Sequence, residues 1–261
     1  MKKRLHPLVL VLLIGSAVAA GCGSKPVTST PEPTSAPTHT PVFVLPSLPA
    51  AIDPAIRFDP AVAEDPDTLL LCSLVYDGLT RLDSNENPQP ALAVDWTVSD
   101  DQLDYVITLR QGVTFQDGSP LNADTVLANF NRWFDPADPL HGREAFTGWE
   151  TYFLAFKGDL DSNAQPISPF DGIEKVDDYT VLIHLNRAVP ELMTNLAQPY
   201  FLILDPVMLA SDGDAYGTSA ESTNGTGAYL VSSWTDAGLE LAPNPSYWGT
   251  VSENSLQFEW K

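Results

Sequence analysis

Two β-rich runs, Val94-Asp95-Trp96-Thr97-Val98 and Tyr105-Val106-Ile107-Thr108-Leu109-Arg110, flank the polar turn Ser99-Asp100-Asp101-Gln102. β-Branched and aromatic residues suit a pleated strand, and a short polar break between two such runs favours an antiparallel hairpin. In the second run Tyr105, Ile107 and Leu109 share one face. Asp117-Gly118 then makes a tight turn, and Asn122 is placed to cap a helix that carries Val126, Phe130 and Trp133 on one side with Leu127 beside them. A hairpin backed by an aromatic-faced helix restricts this stretch to a mixed α and β lobe. Its expected core is Trp96, Tyr105, Ile107, Leu109, Phe115, Phe130 and Trp133.

The flanking regions follow the same periodicities. Val42-Phe43-Val44-Leu45 is a short strand candidate, and a helix is expected from near Asp67 to a stop at Gly78. Trp149-Glu150-Thr151-Tyr152-Phe153 reads as an aromatic helix, followed by a second hairpin over 172–176 and 179–185 that turns at Asp177-Asp178. Beyond Val189-Pro190 come a helix over 191–197, a buried strand Tyr200-Phe201-Leu202-Ile203-Leu204, and a short helix after Asp205-Pro206. Strands are expected over 229–233 and 239–242, and Leu256-Gln257-Phe258-Glu259-Trp260 reads as a final edge strand.

The N-terminus has a different character. Lys2, Lys3 and Arg4 precede an apolar stretch over residues 8–20, shorter than a membrane span needs, and Ala19-Ala20-Gly21-Cys22 follows. This order resembles a bacterial lipobox, which implies a signal over residues 1–21 and a lipid on Cys22. Residues 23–41 hold five Pro, five Thr and three Ser, so residues 22–41 read as an extended tether with nothing to pack. With Cys22 lipidated, Cys72 is left alone in Leu69-Leu70-Leu71-Cys72-Ser73-Leu74-Val75, where it fits as a small buried hydrophobe. The formal charge of −21 excludes phosphate-backbone recognition, so no nucleic-acid partner is expected.

No catalytic or cofactor constellation emerges. Gly225-Thr226-Gly227 lacks the third glycine of a dinucleotide loop, and the four histidines (His6, His39, His141, His184) are scattered. Asp212-Gly213-Asp214 opens like a calcium loop, but Tyr216 and Thr223 occupy ligand positions. The pairs Asp100-Asp101 and Asp177-Asp178 fall at turns, where Asp is favoured for backbone reasons. No metal, cofactor or enzyme activity is expected.

Five segments in order carry a resemblance. They are Val75-Tyr76-Asp77-Gly78-Leu79, then Pro90-Ala91-Leu92-Ala93 with Asp95-Trp96, then the run from Tyr105 through Gly112-Val113-Thr114-Phe115-Gln116-Asp117-Gly118 to Asp124, then Gly225-Thr226-Gly227-Ala228-Tyr229, and finally Asn244-Pro245-Ser246-Tyr247-Trp248-Gly249. In this order and spacing the chain resembles the family 5 extracellular solute-binding proteins, the peptide- and nickel-binding components of ABC importers. The resemblance runs from about Val42 to Lys261; Ala228 stands where the family more often has Pro.

The resemblance implies a periplasmic-binding-protein-like class II clamshell of mixed α/β type, with ligand buried between two lobes. Residues 42–78 and 188–261 would form the first lobe and 79–187 an inserted β-rich subdomain, with the second lobe missing. The chain alone would then bind ligand weakly, since closure needs both lobes. By counting back from Asp77-Gly78-Leu79, the loop lying against the ligand in peptide-binding relatives falls on Glu64, Asp65 and Pro66, while Trp149 and Tyr152 could close over the ligand. The implied partners are a small-molecule or peptide ligand, ABC permease subunits, and a membrane reached through the lipid anchor. A carboxylate-dependent extracytoplasmic hydrolase, or a surface lipoprotein acting as an interaction module, are the alternatives the composition leaves open.

Overall fold

A computed structural model describes residues 46–261. The signal, Cys22, the tether and the strand expected over Val42-Phe43-Val44-Leu45 lie outside the described residues. Two four-stranded sheets organise the rest.

The first sheet is built from β4 (Ala93–Val98), β5 (Asp104–Leu109), β6 (Phe170–Asp177) and β7 (Thr180–Leu185) in the order β4-β5-β7-β6, antiparallel throughout. The hairpin read from the sequence is β4–β5, and Tyr105, Ile107 and Leu109 are its buried face. On the other face His184 and Asp104 sit opposite each other in register, with Nδ1 2.7 Å from the carboxylate, so His184 is a satisfied polar residue of a strand. Helix α2 (Ala123–Phe134) packs on the buried face; the side chain of its N-cap Asn122 accepts from the Thr125 amide, satisfying a donor the helix cannot use. Gly118, at φ +87°, supplies the turn before it. Helix α3 (Thr147–Phe153) adds Trp149 and Phe153 to a core that also holds Phe130, Trp133, Phe134, Phe170 and Phe201, most of them edge-to-face.

The second sheet comprises β1 (Ala51–Ile52), β8 (Tyr229–Thr235), β9 (Gly238–Pro243) and β10 (Leu256–Trp260) in the order β1-β10-β9-β8. The final strand is therefore interior, parallel to β1 and antiparallel to β9, where the sequence pattern suggested an edge. Its alternation is real, but one half of its hydrogen bonds goes to a two-residue strand near the other end of the chain, which no local pattern reports. Helix α1 (Pro66–Val75) packs here through Leu71, Cys72, Leu74 and Val75, and Cys72 is fully buried as expected. A two-stranded ribbon, β2 (Thr80–Leu82) with β3 (Pro88–Pro90), follows α1.

The run from Tyr200 to Leu204 is not a strand. Pro199 opens a 3-10 turn over Pro199–Phe201, after short α4 (Leu192–Asn195) and before α5 (Pro206–Asp212). The backbone beyond the turn finds other partners: Leu202 bridges Gly78, the Ile203 amide donates to the Asp77 carbonyl at 2.9 Å, and Leu204 is clamped by the side chain of Asn129. That buried amide donates to the Leu204 carbonyl at 2.9 Å and accepts from its N–H at 3.0 Å, imitating a strand neighbour.

One ion pair joins the two cores. Arg132 of α2 donates two hydrogen bonds to Asp59, at 3.0 and 2.6 Å, with both side chains buried. Arg132 also donates from Nε to the Leu140 carbonyl, so the guanidinium is held on two sides.

Two stability outcomes follow, both measurable by urea unfolding. Asp59→Ala strands a buried guanidinium and should cost about 3–5 kcal/mol, and adding Arg132→Met should return most of it. Gly227→Ala places a Cβ 2.5 Å from the Val75 carbonyl carbon, backbone that cannot rotate aside, and should cost on the order of 1–3 kcal/mol.

Candidate ligand cleft

Helix α1 ends where the site begins. Its last carbonyl, on Val75, accepts from the Gly227 amide at 2.9 Å. A side chain on Gly225 would meet that oxygen at 2.0 Å, so the glycines of Gly225-Thr226-Gly227 exist for close approach to the helix end. The approach places the Thr226 hydroxyl 2.9 Å from Asp77 Oδ2, the acceptor of its hydrogen bond. Trp248 Nε1 donates to the same oxygen at 2.8 Å, and the Tyr247 hydroxyl also hydrogen-bonds Asp77. Segments distant in sequence thus converge on one half-buried carboxylate.

Burial pushes the Asp77 carboxyl up from its ordinary 3.8 to about 6, against the lowering effect of the Trp248 and Thr226 hydrogen bonds and of the nearby Arg81 and Arg110 charges. Burial likewise pushes the Tyr247 phenol well up, with the Asp77 charge adding to it. Arg110 donates from Nε to the Ala91 carbonyl at 3.1 Å, and its guanidinium lies 4.2 Å from the Trp248 ring centre, a cation–π contact.

This cluster closes one end of a cleft of about 520 Å³. The flank of α1 (Pro66, Leu69, Leu70), Ala197 and Pro199 make up its apolar lining, and Asp77, Arg81, Tyr247 and Trp248 its polar part. The size and the few convergent polar groups suit a small-molecule ligand.

Of the residues expected to touch ligand, Pro66 lines this cleft and Glu64 is exposed just before it. The Asp65 carboxylate is committed to the helix, accepting from the Thr68 amide at 2.9 Å as the α1 N-cap. Tyr152 is half-buried near Tyr200 and Phe201. Trp149 needs correcting: it is 1% exposed, packed on Phe134, Phe153 and Phe170, and its indole donates to the Ala155 carbonyl. It is a core residue with no face to offer a ligand, because α3 turns its aromatic side inward. Sequence reading overlooked Arg81 and Arg110. The usable signal was scarcity, with only 13 Lys and Arg in the chain, but nothing in the spacing of 77, 81, 110 and 248 shows that they meet.

Among the described residues there is no cluster of three or more metal-ligating side chains, and no helix is long and apolar enough to cross a membrane. The chain matches the family described as bacterial extracellular solute-binding proteins, family 5, middle, over residues 87–259. It is 32% identical over 176 residues to the glutathione-binding protein GsiB of Escherichia coli O6:K15:H31 (strain 536), covering 67% of this chain and 30% of that protein. The probable deoxycholate-binding periplasmic protein YgiS of Escherichia coli K12 is 27% identical over 194 residues, covering 72% and 35%. The chain thus spans about a third of the length of the curated relatives it matches. Among solved structures, the periplasmic binding protein DppA of Helicobacter pylori in complex with the peptide STSA superposes with TM-score 0.68 at 24% identity, covering 81% of this chain and 41% of that one. HbpA2 of Haemophilus parasuis gives 0.68 at 28% identity, covering 81% and 42%. The fold is that of a class II periplasmic binding protein over one portion of its length. The chain belongs to the family 5 bacterial extracellular solute-binding proteins.

Proposed function

We propose that the chain serves as the substrate-binding lipoprotein of an ABC importer, capturing a peptide or similar small solute outside the cytoplasm and delivering it to the permease. The observation that carries this reading is the family match laid over a fold with a ligand-sized cleft along α1. Glutathione and peptides, named for relatives, set the size class of solute. The role is binding, not catalysis. Residues 42–78 with 188–261 would form the first lobe and 79–187 the inserted subdomain, and the ligand would lie against Glu64, Asp65 and Pro66 with Tyr152 nearby. A signal over residues 1–21 and lipid on Cys22 would hold the folded body at the membrane through the tether.

Export and lipidation are read together by expressing the whole chain in a bacterial host. The expected product begins at Cys22, carries acyl chains by mass spectrometry and fractionates with membrane. Cys22→Ala should remain in the cytoplasmic membrane unprocessed or appear soluble, in either case without lipid. An intact, unlipidated chain starting at Met1 in the cytosol would overturn the reading.

The folded-state carboxyl of Asp77 is raised, so the folded protein holds this proton more tightly than the unfolded chain does. Stability from this group is therefore present at low pH and is lost as pH rises from about 4 through 6. Asp77→Asn keeps an acceptor oxygen for Trp248 and Thr226 but removes the titration. The difference in unfolding free energy between the variant and the parent should shift in favour of the variant by on the order of 1 kcal/mol between pH 4 and pH 7, after solvent screening. Chemical denaturation at several pH values measures it.

A further inference from the structure

Arg57, Arg132, Lys157, Lys175 and Lys261 each have a carboxylate within ion-pair distance. In a chain of formal charge −21 that is the expected fate of a cation. Four described arginines depart from it: Arg143 and Arg187, which are exposed to water, and Arg81 and Arg110, which are not. Both are half-buried, and neither has a carboxylate within ion-pair distance among the described residues. Asp77 is the acid close enough to feel both charges. Its Oδ2 is already engaged by the Thr226 hydroxyl and the Trp248 indole.

The donors of the two guanidiniums are correspondingly open. Arg110 uses only Nε, toward the Ala91 carbonyl, and is fixed in place by stacking on Trp248. Its terminal N–H groups, and the whole fork of Arg81, meet no acceptor among the described residues. Arg81 is carried on β2, paired opposite Gln89, and lines the polar end of the cleft directly. A planar fork at a half-dry site is matched best by a carboxylate, which accepts two parallel hydrogen bonds. The rest of the lining is mostly apolar, with Pro66, Leu69, Leu70, Ala197 and Pro199 interrupted by Ser73 and Thr80.

We propose that Arg81, supported by Arg110 on Trp248, forms an anion-recognising subsite that fixes the carboxylate of an amphiphilic ligand whose apolar body lies along the flank of α1. This deepens the binding reading above and rests on the α1 cleft being a ligand site. The ligand class is a monocarboxylate with a branched or extended hydrocarbon body. One charge is matched because the site carries two arginines against the single Asp77. The Arg110–Trp248 stack makes Arg110 a positioning residue, and Arg81 the one that touches the ligand.

The test uses N-acetyl-leucyl-leucine, which has a free carboxylate and no amine, and its C-terminal amide, titrated calorimetrically into the full 261-residue chain at low salt. The acid should bind at least about tenfold more tightly than the amide, as expected when a charged hydrogen-bond pair is exchanged for a neutral one. Arg81→Gln should abolish that preference, weakening the acid at least about tenfold more than the amide, and Arg81→Lys should restore part of it. Because the Arg81 side chain makes no hydrogen bond among the described residues, the Gln variant is expected to unfold at the parent temperature, which circular dichroism checks. Equal binding of acid and amide would overturn the anion subsite and leave the cleft as a ligand site. An unchanged preference in Arg81→Gln would do the same, placing the charge recognition elsewhere. Binding of neither compound at millimolar concentration would overturn both the subsite and the reading of the cleft, whereas the fate of Cys22 would still decide the lipoprotein assignment independently.

Discussion

The close approach of Gly225-Thr226-Gly227 to the end of α1 is the contact on which the site depends. Without Cβ atoms there, the Gly227 amide reaches the Val75 carbonyl, the helix end is satisfied, and Thr226 arrives at Asp77. From Asp77 the consequences spread in two directions. Its carbonyl receives Ile203, which brings the chain after the 3-10 turn against α1. Its carboxylate receives Trp248, and Trp248 in turn seats Arg110. A half-buried acid with three side-chain partners behaves as a fastener for segments that share no secondary structure.

Asp59 and Arg132 do comparable work at the other junction, between the aromatic core and the α1 core. The two devices differ in energetic character. Asp59–Arg132 is bidentate and fully buried, so its value lies less in net stability than in the penalty for any arrangement that separates the partners. Asp77 retains access to solvent and a carboxyl raised to about 6, so its network is adjustable where the other is fixed.

The elements that could be read from sequence are those whose hydrogen bonds close locally. The β4–β5 hairpin, α2 with its Asn122 cap, and the β6–β7 hairpin came out of alternation, helical spacing and turn chemistry. The run from Tyr200 to Leu204 did not, because its apolar character reflects burial, while its backbone is satisfied by the side chain of Asn129 and by Asp77 and Gly78. Periodicity cannot distinguish a buried strand from a buried irregular segment. The cleft suffered a similar loss. Counting from a motif points to Glu64, Asp65 and Pro66, of which Pro66 lines the cleft while Asp65 caps α1. Trp149 looked like a cleft aromatic only because helix α3 is too short to show which side faces inward. Arg81 and Arg110 are invisible as a pair, since their proximity is made by tertiary folding through Trp248.

The position of β10 carries one more consequence, for the order of events in folding. β1 meets its partner only through Ala51↔Glu259 and Ile52↔Trp260, a separation of about two hundred residues. Such a pairing has a high loop-closure cost and forms late. The second sheet therefore cannot be finished until nearly all of the described chain has been made.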